Sequence, residues 1–377
     1  MSAELRYANF DEYPRIREFL ANHWSATNIY VREPKLFDWT FGRQSLWDRD
    51  GYSFALAEDK GSVIGILGGI PFMMNCFGQQ FRALWLANYM ISPDHRRGPL
   101  AMKLLKMMRR EPYRATIAFG INPQTAPIYQ VLRWRLVENI PRHFVALPQA
   151  SERMCELLRL IYAGWTRERI EALVCGFRLP NLPEEPPDSE STLPENWNDI
   201  GWEPIARRTV GAARDTAYLK WRYLDHPVFS YKLIVIREND RAGLLVWRLE
   251  AIRVKTNIGE SNFDRIGRVV EFLPASWQNA KALFSRLLHD LNEASAIGAD
   301  FYCHHGVTRK LLADLGMSSV ESHADGQYIP ARFQPLDSKT SVIMSSMFTP
   351  EETPVCSFDS NCVWYWTKSD ADQDRPN

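Results

Sequence analysis

The stretch Tyr89-Met90-Ile91-Ser92-Pro93-Asp94-His95-Arg96-Arg97-Gly98-Pro99-Leu100-Ala101-Met102-Lys103-Leu104-Leu105 decides the reading of this chain. An apolar, strand-like run ends at Ser92-Pro93. A basic turn with one glycine follows. From Leu100 onward the apolar residues fall at helical spacing. The first N–H groups of a helix find no carbonyl within it and carry partial positive charge, so such a turn suits a phosphate. Between Asp94 and Arg114 seven Lys and Arg stand against Asp94 and Glu111, in a chain whose 45 basic and 45 acidic residues cancel.

Working outward, Leu5–Tyr7 reads as a short strand, Asp11–His23 as an amphipathic helix and Pro34–Phe41 as a second helix. Strands are expected at about 53–58, 63–74 and 79–91, the first two joined by the Asp59-Lys60-Gly61 turn. After the basic turn come a helix at 99–110, a strand at 115–120, a helix at 124–132 and a strand at 135–147. A meander followed by a β-α-β unit predicts an α/β (α+β) fold, a mixed sheet flanked by helices.

The same order recurs further on. Phe37-Asp38-Trp39-Thr40-Phe41 corresponds to Leu219-Lys220-Trp221-Arg222-Tyr223, Ser92-Pro93 to Leu273-Pro274, and Leu132-Arg133-Trp134 to Leu315-Gly316-Met317, at offsets of 181 to 183 residues. Two copies of one fold in tandem are expected. Between them, Asn181–Glu203 holds seven acids, no Lys or Arg, and several prolines, which predicts an exposed linker. The expected organisation is 1–150, a first domain; 151–204, a connecting helix and acidic linker; 205–337, a second domain; and 338–377, a C-terminal extension.

Composition narrows the function. A net charge of zero argues against a nucleic-acid partner. No run approaches the ~18 apolar residues of a membrane span, and the polar N-terminus has no signal core, so a cytoplasmic protein without a membrane partner is expected. Six scattered cysteines without a C-x-x-C pair predict reduced thiols. Cys303-His304-His305 invites a metal reading, but adjacent strand side chains point to opposite faces, so no metal is expected there.

The basic turn resembles the acyl-CoA pyrophosphate loop of the GNAT superfamily of N-acyltransferases. Ile91, Pro93, Arg96 and Ala101 match its pattern, and Pro99 stands where the family usually has glycine. The resemblance implies cofactor contacts from Tyr89, Met90 and Ile91 on the strand, and from Arg96, Arg97, Gly98, Leu100 and Ala101 in the loop. About thirty residues on, Asn122-Pro123-Gln124-Thr125-Ala126-Pro127-Ile128-Tyr129 resembles a second family segment. It implies that Asn122 contacts the cofactor arm and that Tyr129 is the catalytic acid that protonates the departing thiolate. The second copy keeps Leu315-Gly316-Met317 but has Ala275-Ser276-Trp277-Gln278-Asn279 in place of the basic loop, as expected of a copy without a cofactor site. Arg214–Pro227 and the segment WYWTKSDADQDRPN resemble double-GNAT acyltransferases encoded among surface-polysaccharide genes.

The resemblance therefore implies transfer from acetyl-CoA or another acyl-CoA to a small-molecule amine, possibly an amino sugar, without a metal. No carboxylate lies between Phe81 and Ser92 to serve as general base, and Asp94, His95, His143 and Glu271 remain candidates, Glu271 as a partly exposed strand-end carboxylate. Two other readings stay open: a Fem-like aminoacyltransferase that takes aminoacyl-tRNA, and a non-catalytic binding protein with a degenerate loop.

Overall fold

A computed structural model describes residues 3–42, 44–183, 185–256, 259–338, 342–349 and 363–374. The first half runs β1 (Glu4–Tyr7), α1 (Tyr13–His23), α2 (Ile29–Arg32), α3 (Pro34–Phe41), β2 (Phe54–Asp59), β3 (Ser62–Cys76), β4 (Gln79–Ile91), α4 (Leu100–Met108), β5 (Ala115–Phe119), α5 (Ala126–Val131), β6 (Arg135–Val137) and β7 (Arg142–Ala146). Two helices, α6 (Ser151–Ile161) and α7 (Arg167–Phe177), replace the single connecting helix expected, and α8 (Glu203–Ala206), β8 (Val210–Ala212) and α9 (Thr216–Leu219) lead into the second half. There follow β9 (Lys232–Glu238), β10 (Arg241–Thr256), β11 (Gly259–Leu273), α10 (Trp277–Glu293), β12 (Gly298–Tyr302), α11 (Gly306–Asp314), β13 (Ser318–Ser319), β14 (Arg332–Phe333), β15 (Leu336–Asp337) and β16 (Ser345–Phe348).

Most of the strands form two mixed sheets flanked by helices, the fold class expected, and β14 and β15 pair as a separate two-stranded ribbon. The first has the order β1-β2-β3-β4-β5-β16-β6, with β8 beside the far end of β3. The second has the order β13-β7-β12-β11-β10-β9. In the first, β2, β3 and β4 are antiparallel and β5 joins β4 in parallel; in the second, β9, β10 and β11 are antiparallel and β12 joins β11 in parallel. The landmark turns also correspond, because Arg133 (φ 59°) and Gly316 (φ 91°) both adopt the left-handed conformation after a helix.

The halves exchange strands. The run expected as one strand at 135–147 divides at Glu138–Pro141, where Pro141 has no N–H to continue a ladder. Its first part, β6, stays in the first sheet, and its second, β7, pairs with β12 of the second. In return β16 enters the first sheet between β5 and β6. The domain limit expected at 150 thus falls after a strand of the second sheet, and residues beyond 338 supply a strand of the first.

On one face of the first sheet Phe72, Trp85 and Met74 pack with α1, α2 and α3 in a core continuous with the second half. On the other face Leu67, Leu84 and Leu86 pack with Leu104, Leu105 and Met108 of α4. The acidic segment expected as an exposed linker is anchored from Glu190 on. Glu190 and Val235 exchange backbone hydrogen bonds, and buried Trp197 donates its indole N–H to the Arg214 carbonyl at 2.8 Å. Cys76, Cys155, Cys175 and Cys303 are free thiols; Cys356 and Cys362 lie outside the described residues. Among the described residues no helix is long and apolar enough to cross a membrane.

Candidate active site

Two departures from regular pairing open the first sheet. Ile66 faces Met90 and Gly68 faces Ala87, so Leu67 stands opposite two residues, Asn88 and Tyr89. This is a β-bulge, and Asn88 takes the left-handed conformation (φ 53°) that asparagine tolerates better than most residues. The parallel pairing of β4 with β5 runs from Ala83 and Ala115 to Leu86 and Ala118. Past that point the strands part, and a cavity of about 320 Å³ lies between them. Tyr89, Met90, Asn122 and Tyr129 all line it, together with Asn88. Neither polar atom of the buried Asn88 side chain has a hydrogen-bond partner.

Two phenols meet here. Tyr129 is 1% exposed, and burial pushes its pKa well above the ordinary value. Burial does the same to Tyr89, helped by its neighbour Tyr129, and the Tyr89 hydroxyl has no hydrogen-bond partner. Both hydroxyls therefore hold their protons at neutral pH. Asn122 spends its side-chain oxygen on the turn, accepting from the Gln124 N–H at 2.9 Å.

Ile91, Arg96, Arg97, Gly98, Leu100 and Ala101 lie beyond the cavity, along the end of β4 and the loop into α4. The Ser92 hydroxyl and His95 Nδ1 are 2.8 Å apart, and Arg96 Nε donates to the Ile91 carbonyl at 3.1 Å. Gly98 is exposed with φ 117°, and a Cβ there would meet open space. Pro99 occupies the cap position before Leu100, where no helical N–H is lost. The first helical N–H groups, of Leu100 and Ala101, have no helical carbonyl to meet.

The candidate bases fare unequally. Asp94 is exposed on the loop and His95 is engaged with Ser92. His143 sits in β7 opposite Phe301 and Ser319, inside the second sheet, and burial lowers its pKa to about 4. Glu271, expected to be partly exposed, is fully buried. It accepts from Arg214 Nε at 2.9 Å and the Tyr223 hydroxyl at 2.7 Å, so it is a core ion-pair member. Sequence reading missed Asp372 and Gln373, which line the cavity from more than 240 residues beyond Tyr129. They lie in the C-terminal segment noted above for its resemblance, but nothing in the local sequence places that segment at this cavity.

The second sheet repeats the geometry. Val246 faces Glu271 and Trp247 faces Val269, leaving Val270 as a bulge, and β11 pairs with β12 only from Gly267 to Val269. There the gap is occupied by the chain itself, with Thr367 bridged to Cys303. Among the described residues no group of three His, Cys, Asp or Glu is placed to hold a metal ion.

Solved structures share this architecture. N-myristoyltransferase from Saccharomyces cerevisiae, solved with bound myristoyl-CoA, superposes with a TM-score of 0.55 at 10% identity, over 94% of this chain and 80% of that one. A second structure of the same yeast enzyme gives 0.53 at 12% identity, over 92% and 82%. A conserved Enterococcus faecalis protein of unknown function, described as a probable N-acyltransferase, gives 0.50 at 9% identity, over 80% and 65%. At these identities the likeness is one of fold. No curated protein matches the chain. The splayed strands, the bulge, the basic turn and Tyr129 all fall within residues 4–137, the part of the chain that matches the acetyltransferase (GNAT) domain family model.

Proposed function

We propose that the protein is an acyl-CoA-dependent N-acyltransferase acting on a primary amine by direct attack on the thioester. The observation that carries this reading is the convergence of the β4 bulge, the parting of β4 from β5 and buried Tyr129 on one cavity. The pyrophosphate binds at the Arg96–Ala101 turn, against Arg96, Arg97 and the first N–H groups of α4. The pantetheine arm runs between the parted strands, and an N–H at Tyr89–Ile91 faces the developing oxyanion. The amine nitrogen forms a bond to the carbonyl carbon, the C–S bond breaks, and Tyr129 gives its proton to the sulfur. Its burial keeps the phenol protonated at neutral pH, the form a general acid must start from.

The acceptor class follows from the resemblance of Arg214–Pro227 and the C-terminal segment, which directs the search to amino sugars and nucleotide-linked amino sugars. The test is thermal unfolding with and without acetyl-CoA and longer acyl-CoAs, beside Arg96→Ala, followed by thiol release with amino-sugar acceptors. A ligand at 100 times its Kd stabilises the native state by about 2.7 kcal/mol. A shift that Arg96→Ala abolishes supports the reading. No shift with any acyl-CoA or free CoA rejects it in favour of an aminoacyl-tRNA donor or a binding protein.

A further inference from the structure

The first cavity contains a carboxylate that its own half of the chain does not supply. Thr367–Asp374 leaves the gap of the second sheet and crosses to the cavity of the first. It is fastened on both sides of the crossing. Asp370, fully buried, accepts from Arg214 at 2.8 Å. Asp374, 3% exposed, accepts from Arg248 at 2.8 Å and from the Tyr231 hydroxyl at 2.6 Å. Between these anchors Ala371 takes the left-handed conformation (φ 57°). The two residues that follow, Asp372 and Gln373, line the first cavity. Gln373 Nε2 donates to the Phe119 carbonyl at the end of β5 (3.3 Å) and to Asp372 Oδ1 (2.8 Å). Its side chain lies over Gly120, where a Cβ would come within 2.2 Å of Gln373 Oε1. The seat is built for this segment.

An amine that attacks a thioester must lose a proton. Of the described residues lining this cavity, those with ionisable side chains are His23, Tyr89, Tyr129 and Asp372. The phenols hold their protons, and His23 is exposed against the Phe19 ring. Asp372 is 4% exposed and is the one carboxylate among the described lining residues. We propose that Asp372 is the general base, taking the proton of the amine as its nitrogen bonds to the carbonyl carbon. The second half, whose own gap is filled, then serves to hold this residue in the first site. The assignment rests on the N-acyltransferase reading.

The test compares the whole protein with Asp372→Asn and Asp372→Glu. Wild-type turnover is first measured by thiol release from acyl-CoA with a panel of amino sugars, then with hydroxylamine as a weakly basic nucleophile. The expected result for Asp372→Asn is at least a 100-fold fall in kcat/KM with the amino sugar. The acyl-CoA thermal shift should stay intact, and the deficit should shrink tenfold or more with hydroxylamine, which needs less help in losing its proton. Asp372→Glu should recover part of the rate. Gln373→Ala, which frees the carboxylate from β5 without removing it, should give a smaller fall. Wild-type turnover that Asp372→Asn keeps within twofold overturns the assignment alone. So does a deficit equal for both nucleophiles. A wild-type protein that shifts with no acyl-CoA and releases no thiol overturns the N-acyltransferase reading and the assignment with it.

Discussion

The Tyr365 hydroxyl holds both backbone groups of Phe272, accepting from its N–H at 3.0 Å and donating to its carbonyl at 3.2 Å. Phe272 lies two residues past the bulge of β11, the place that Met90–Ile91 takes in β4. A phenol of the same chain thus satisfies the strand groups that an incoming pantetheine would need. A cavity of about 410 Å³ remains beside it, lined by Phe272, Pro274, His305 and Tyr365. Its turn carries no arginine, and Ser276 Oγ already accepts from the Asn279 N–H at 3.1 Å. One acyl-CoA per chain is therefore expected. Titration calorimetry should give a stoichiometry near one, and Arg96→Ala should remove it; a stoichiometry of two would contradict this account.

Tyr129→Phe should separate binding from chemistry. The ring packs edge-on against Trp134 at 5.1 Å, a contact that phenylalanine keeps. The variant loses only the proton donor. A fall of about 10²–10⁴ in kcat is expected, the usual span for a positioned acid, with the acyl-CoA thermal shift unchanged. Steady-state thiol release checks it.

Acid should destabilise the protein from about pH 6.5 downward. Burial holds His143 and His305 at about 4 and His226 at about 3, with neighbouring Arg309, Arg208 and Arg222 adding to the effect. His226 Nδ1 also accepts from the Val228 and Phe229 N–H groups, which requires the unprotonated atom. Folded values below the unfolded ~6.5 mean that the unfolded chain binds more protons in this window. Stability is full above it and falls as pH drops toward 4, by up to ~1.4 kcal/mol per pH unit for each histidine. Denaturant midpoints between pH 7.5 and 4.5 measure the slope, and His143→Gln should flatten it.

Gly298→Ala should open the seam where the chain changes sheets. A Cβ at Gly298 would stand 2.2 Å from the Val145 carbonyl oxygen. Val145 belongs to β7, which is held between β12 and β13 and has nowhere to retreat. A loss of about 1–3 kcal/mol is expected. Gly164→Ala, which meets open space, should be nearly silent. Paired melting curves decide.

Features carried by neighbouring residues were readable in the sequence. The expected strand at 79–91 is β4, and the expected helix at 99–110 is α4, Leu100–Met108. Alternation and helical spacing encode them locally. The matching offsets of the two halves correspond to matching pairings and matching bulges. Contacts between distant segments were not readable. Asp372 comes to line the same cavity as Tyr129 only through the anchoring of Asp370 and Asp374. The linker expectation weighed acids and prolines and overlooked Trp197, one indole whose burial pins the segment. Glu271 looked like a strand end open to solvent because its partners, Arg214 and Tyr223, come from elsewhere in the chain.

The exchange of β7 for β16 has a bearing on how the protein is made. When β5 and β6 leave the ribosome, the strand that separates them is still more than two hundred codons away. The first sheet stays unzipped along that seam until Ser345–Phe348 is synthesised, and Asp372 follows later still. A nascent chain that has not reached these residues therefore holds the basic turn and Tyr129 with neither β16 nor Asp372 in place.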